Sequence, residues 1–230
     1  MKRVLVAAGA LSLLASAAIA DEVYLDQFGV GNDFVSTQDG TNFIGSMATP
    51  FVQGGFFNEA NINQEGDGNI VGGGGLGGVA IEFGTFNDIV INQVGSGNVI
   101  IDIIHGGFDN DLDLSQDGEG NIIDIPLQLG AFNDMNVSQE GSNNYYTAVQ
   151  AGIGNLIEAV QVGADNTIEI RQGTFAFPDS NVNGPAFGST LEVAQFGSSN
   201  DFVGRQSGAN QFQTTTQIGV GNSVLNQQNP

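Results

Sequence analysis

Side-chain amides are the recurring chemistry of this chain. The pattern Gln-x-Gly-x-x-Asn occurs eleven times in full. It pairs Gln27 with Asn32, Gln53 with Asn58, Gln64 with Asn69, Gln93 with Asn98, Gln116 with Asn121 and Gln128 with Asn133. It continues with Gln139 and Asn144, Gln150 and Asn155, Gln161 and Asn166, Gln195 and Asn200, and Gln217 and Asn222. An amide donates and accepts at once. Identical amides stacked in successive layers can therefore bond along the stack, as in cross-β ladders, which satisfies groups that are costly to bury unpaired. Glu82 and His105 begin near matches that change only the Gln, while Gln38 and Gln206 keep the Gly but place Asn one residue early.

Apolar residues alternate between the motifs. Met135 and Val137 lead to Gln139, Ile157 and Ala159 to Gln161, and Ile168 and Ile170 to Gln172. Polar residues such as Asn136, Glu158 and Glu169 fill the steps between. Period two marks a strand with one buried face. The Gly between Gln and Asn supplies the backbone freedom of a corner. Each 11-residue unit is thus a strand and a corner, and two units return the chain to its start one layer on. The fold class this predicts is all-β, a two-sided parallel β-solenoid. It would have about nine 22-residue coils, spaced roughly 4.8 Å apart.

Paired as 27/38, 53/64, 82/93, 105/116, 128/139 and 150/161, the motifs keep an interval of 11 within each pair. Between pairs the interval is 15, 18, 12, 12 and 11. Insertions therefore fall on one side of the coil: at 47–50, in the Gly-rich tract 72–78, near Asp102 and near Pro126. The even side carries Asp33, Glu59, Asp88, Asp111 and Asp134 directly after Asn, an acidic column. The other side carries Ile70, Val99, Ile122, Tyr145 and Thr167 there. Phe57, Phe86, Phe108 and Phe132 mark one corner.

Residues 1–20 read as a secretory signal peptide. Lys2 and Arg3 are followed by a short apolar run and by Ala18-Ile19-Ala20, a small-residue cleavage site. Residues 21–230 form a single solenoid domain with an inserted loop at 173–189, which holds Pro178 and Pro185. Beyond the signal, 25 acids face only Arg171 and Arg205, leaving −23. Nucleic acid is excluded as a partner, because it needs a basic footprint. No cysteine is present, so no disulfide staples the fold in an oxidising compartment. His105, the single histidine, holds a Gln position of the repeat and is read as a ladder substitute, not a general base. The chain is not expected to be an enzyme, to hold a cofactor or to carry a dedicated metal site.

The motif, its alternating strand and the second Gln eleven residues on resemble the curlin repeat, over about residues 27–228. With the motif in both halves of the coil, the chain looks closer to the minor, nucleating type than to the major one. The resemblance implies an amyloid subunit of curli fibres at a Gram-negative cell surface, serving biofilm and adhesion. It implies export through a dedicated outer-membrane channel with chaperones, and partners that are further copies of the chain and another curlin subunit. The Gln and Asn residues named above become its ladder, with growth at coils near 27–38 and 217–228. The alternatives are a non-polymerising acidic β-solenoid adhesin or a calcium-binding surface protein. The stretch 106–114 faintly resembles calcium-binding repeats, whose period is nine.

Overall fold

A computed structural model describes residues 4–7, 11–13, 22–72, 78–173 and 184–228. The chain winds as a parallel β-solenoid of about eight turns, with a repeat near 23 residues and two parallel sheets. This is the expected fold class, with slightly fewer and longer turns than nine coils of 22. Insertions lengthen the early turns, so fewer turns fit in the chain. The step between stacked glutamines is 26, 29, 23, 23 and 22 residues, then 34 and 22.

One sheet is regular. Its strands Asp33–Asp39, Glu59–Asp67, Asp88–Ser96, Asp111–Glu119, Asp134–Ser142, Leu156–Ala164, Thr190–Ser198 and Phe212–Val220 stack in order, in parallel and without a register shift. The strands run through Gln and Gly, so the corner is shorter than the motif suggests. In both corners the left-handed residues fall two and four places after Gln, as at Gly118 (φ 123°) and Gly120 (φ 65°). A Cβ on Gly118 would run into the carbonyl oxygen of Gly141 in the next coil. Coil spacing, as well as φ, therefore demands glycine there.

The second sheet absorbs the insertions, as the spacing predicts. In the early coils each strand is split. Phe43–Ile44 is separated from Phe51–Phe56, and Ile70–Val71 from Ala80–Thr85. Val99–Ile101 is separated from Ile103–Phe108 by the single residue Asp102 at φ 55°. In Ile122–Ala131 the break shrinks to a bulge between Asp124 and Pro126. Tyr145–Ile153 is continuous. Proline lacks a ladder donor, which accounts for its place at the bulge.

Of the expected loop at 173–189, residues 174–183 lie outside those described. Thr167–Gln172 pairs with Tyr145–Gln150 and Ala186–Phe187 with Gly152–Ile153, so the insertion interrupts the end of one strand, just before its corner. Most of the expected signal peptide is likewise outside the described residues. Val4–Ala7 and Leu11–Leu13 are strands paired with Leu25–Val30 and Asp33–Asp39.

The core between the sheets is one side chain deep. In the regular sheet Phe34, Ala60, Ile89, Leu112, Met135, Ile157 and Leu191 form one inward column. Opposite it runs Val71, Ile100, Ile123, Tyr146, Ile168 and Phe202. Each buried aliphatic side chain contributes about 2 kcal/mol.

Candidate functional site

The expected ladder residues come together as four columns, two of Gln and two of Asn, lining the ends of the core. In the regular sheet Gln38 Nε2 donates to Gln64 Oε1 at 2.7 Å. The chain of donation runs on through Gln93, Gln116, Gln139, Gln161 and Gln195 to Gln217, at 2.8–3.1 Å per link. From Gln64 to Gln217 each Gln also donates across the coil. Gln116 Nε2 reaches Val99 O at 3.2 Å and Gln139 Nε2 reaches Ile122 O at 3.1 Å. Those carbonyls start strands of the opposite sheet. One amide therefore ties neighbouring coils and both sheets.

The second glutamine column starts with Gln27 donating to Gln53 at 2.6 Å. It resumes at Gln128, passes to Gln150 at 2.8 Å and then runs through Gln172 and Gln206 to Gln228. Two rungs between are different. Glu82 accepts from Gln53 Nε2 at 2.8 Å, and His105 Nδ1 lies 3.9 Å from Glu82 Oε1. Both side chains are fully buried. Burial pushes the Glu82 carboxyl well above its ordinary range, with Asp88 and Glu59 adding repulsion, and pushes His105 down to about 3. Glu82 Oε1 and both His105 nitrogens lack hydrogen-bond partners. His105 is thus a column member, as its spacing predicts.

The asparagines close the corners. Asn110 donates its backbone N–H and its Nδ2 to Asn87 Oδ1, at 3.2 and 3.1 Å. The same Nδ2 reaches Gly106 O within its own corner and Gly130 O in the next coil. One column runs Asn32, Asn58, Asn87, Asn110, Asn133 and Asn155, ending in Ser189. The other runs Asn42, Asn69, Asn98, Asn121, Asn144, Asn166, Asn200 and Asn222.

The full motif misses several members. Asn87 and Asn110 belong to corners whose Gln is replaced. Asn42 enters its column from a corner one residue short, by bonding back three residues to Asp39 O instead of four. Gln172 joins through strand alternation alone, and Gln206 through its near match. The early Asn210 does not enter its column, because Gln211 takes the place and donates its N–H to Ser189 Oγ at 3.2 Å.

Two surface stripes flank one corner. Asp33, Glu59, Asp88, Asp111 and Asp134 stand in direct register on the regular sheet. Desolvation, then repulsion from neighbouring acids, raises the carboxyls of Asp88, Asp111 and Asp134, the neighbour of Asp111 being Asp109 at the corner. Beside them the phenylalanine corner forms a continuous stack. Phe57 and Phe86 stack at 5.5 Å, and edge contacts to Phe108 at 5.9 Å and on to Phe132 at 5.5 Å continue it. Phe108 joins from the neighbouring corner position, since Asp109 takes the left-handed site of its coil. Phe57, Phe86 and Phe132 hold φ of 55–58°, where Gly31 and Gly154 serve other coils. A bulky side chain held in that region costs about 1–3 kcal/mol.

These features define a two-sheet parallel β-solenoid with stacked, buried Gln and Asn ladders, an arrangement consistent with curlin-like repeats. No protein-family model, curated protein or solved structure matches the chain.

Proposed function

We propose that the chain is a secreted structural subunit of the curlin type. It polymerises end to end by β-augmentation into extracellular curli-like amyloid fibres for biofilm matrix and surface adhesion. The observation that carries this reading is the unbroken run of seven glutamine links from Gln38 to Gln217. Such a column is open in principle at both ends, and a further coil extends it by the bonds already used inside. Among the described residues, Phe212–Val220 and Ser223–Gln228 each pair on one side only. Removal of residues 1–20 would uncover the opposite edges, on Leu25–Val30 and Asp33–Asp39. A strand edge of this kind is a template, and head-to-tail contacts that do not close give filaments.

One observation favours a second reading, the non-polymerising acidic adhesin. The coil of Phe212–Val220 and Ser223–Gln228 turns Gln213, Thr215 and Asn226 inward, in register with Leu191, Val193 and Gly204. Polar coils cap solenoids. Electron microscopy and fibre diffraction on the purified secreted chain separate the two. Fibres with a cross-β pattern support the first reading. A chain that stays monomeric at high concentration, with intact β signal, sinks it.

A further inference from the structure

The phenylalanine stack and the acid column run side by side along one flank. Phe57 precedes Glu59, Phe86 precedes Asp88 and Phe132 precedes Asp134, each pair separated by one buried asparagine. The three rings are 49–55% exposed, although the fold places them at left-handed corner sites that glycine fills elsewhere. Strained aromatics that pack only on one another along the corner and leave half their surface in solvent point to a binding role. Among the described residues, no cation pairs with the carboxylates beside them. Among the described residues Arg171 and Arg205 both lie on the other sheet, and Arg171 already pairs with Glu169 at 3.3 Å. A second copy laid on this flank would add carboxylates to carboxylates.

We propose that this flank is a docking strip for an extended cationic peptide segment. Its Lys or Arg side chains would meet the acid column, and the apolar side chains between them would lie on the phenylalanine rings. Cations beside the rings gain further from the aromatic faces. Strand alternation on the ligand would present two chemistries to two stripes. The strip lies on the flank and not at the coil edges, so the inference stands or falls independently of polymerisation.

The test is fluorescence anisotropy of a labelled octapeptide alternating Lys and Leu, with an alternating Lys–Ser peptide of equal charge as comparator, at near-physiological salt. The Lys–Leu peptide binds about tenfold tighter than Lys–Ser, because only it buries apolar surface. A Phe57→Asn/Phe86→Asn/Phe132→Asn variant loses that tenfold preference. Asn accepts the left-handed backbone, and an unchanged circular dichroism spectrum checks the fold. Asp88→Asn/Asp111→Asn/Asp134→Asn weakens binding of both peptides. Asp117→Asn/Glu119→Gln/Glu140→Gln, with the same charge removed at the far corner, leaves both nearly unchanged. Equal loss in the far-corner variant means unspecific attraction to a polyanion and overturns the proposal. So does an unaltered preference in the Phe→Asn variant. Sedimentation showing lateral self-association that the Phe→Asn variant abolishes also overturns it, in favour of a second copy.

Discussion

Glu82 and His105 occupy successive rungs of one glutamine column, 3.9 Å apart and fully buried. From Gln27 to Gln228 all the other rungs of that column carry amides. A glutamine there would bond up, down and across, whereas this pair leaves Glu82 Oε1 and both His105 nitrogens without a hydrogen bond. The mid-solenoid is therefore its weakest join on the second side. The double variant Glu82→Gln/His105→Gln restores the column and is expected to stabilise the chain by at least about 2 kcal/mol. Chemical denaturation measures this, and a loss of stability would show that the pair is bonded in a way the geometry does not record.

The same pair sets a pH profile. The Glu82 carboxyl is raised, so folding retains a proton that the unfolded chain releases above about 4.5, and stability falls as pH rises from there to the folded value. His105 is lowered, so stability falls as pH drops from 6.5 toward about 3. Between 4.5 and 6.5 the two slopes oppose each other. Glu82→Gln should flatten the alkaline limb and His105→Gln the acid limb. Melting temperatures across pH separate the two; a single variant that flattens both limbs contradicts the assignment.

Assembly should quicken on acidification. The carboxyls of Asp88, Asp111 and Asp134 are raised by desolvation and by neighbouring acids, so the repulsion they add in the folded chain fades as pH falls through the raised values toward 3.8. Salt should act in the same direction by screening. Thioflavin-monitored growth indifferent to both would count against this.

Gln116 is a strong test of the amide column. Gln116→Ala removes links from Gln93 and to Gln139 and the bond to Val99 O, at a cost of about 3–5 kcal/mol. Tyr146→Phe should do the opposite. The buried Tyr146 hydroxyl has no partner, so its removal should stabilise by about 1 kcal/mol, read as a raised melting temperature.

The two corner glycines should separate cleanly. Gly118→Ala forces a Cβ against Gly141 O at φ 123° and should prevent stable folding. Gly97→Asn, at φ 64° with open space around it, should be nearly neutral. Equal losses at both sites would mean that the tight contact of Gly118 with Gly141 is not what sets the requirement there.

Much of this architecture is local information repeated. Period-two alternation named the inward residues, because a strand sends successive side chains to opposite faces. The 11-residue beat named which Gln stacks on which, and the uneven gaps named the wall that bulges. Tertiary structure alone decided what the amides do across the coil. The bond from Gln139 to Ile122 O joins residues of different sheets, which no spacing displays. It also decided which near matches enter a column: Asn42 does by a shortened corner, and Asn210 yields to Gln211. Burial, finally, is a property of the stack. The sequence marks Glu82 and His105 as substitutes, but only enclosure between neighbouring coils turns two ionisable groups into a buried, under-bonded pair.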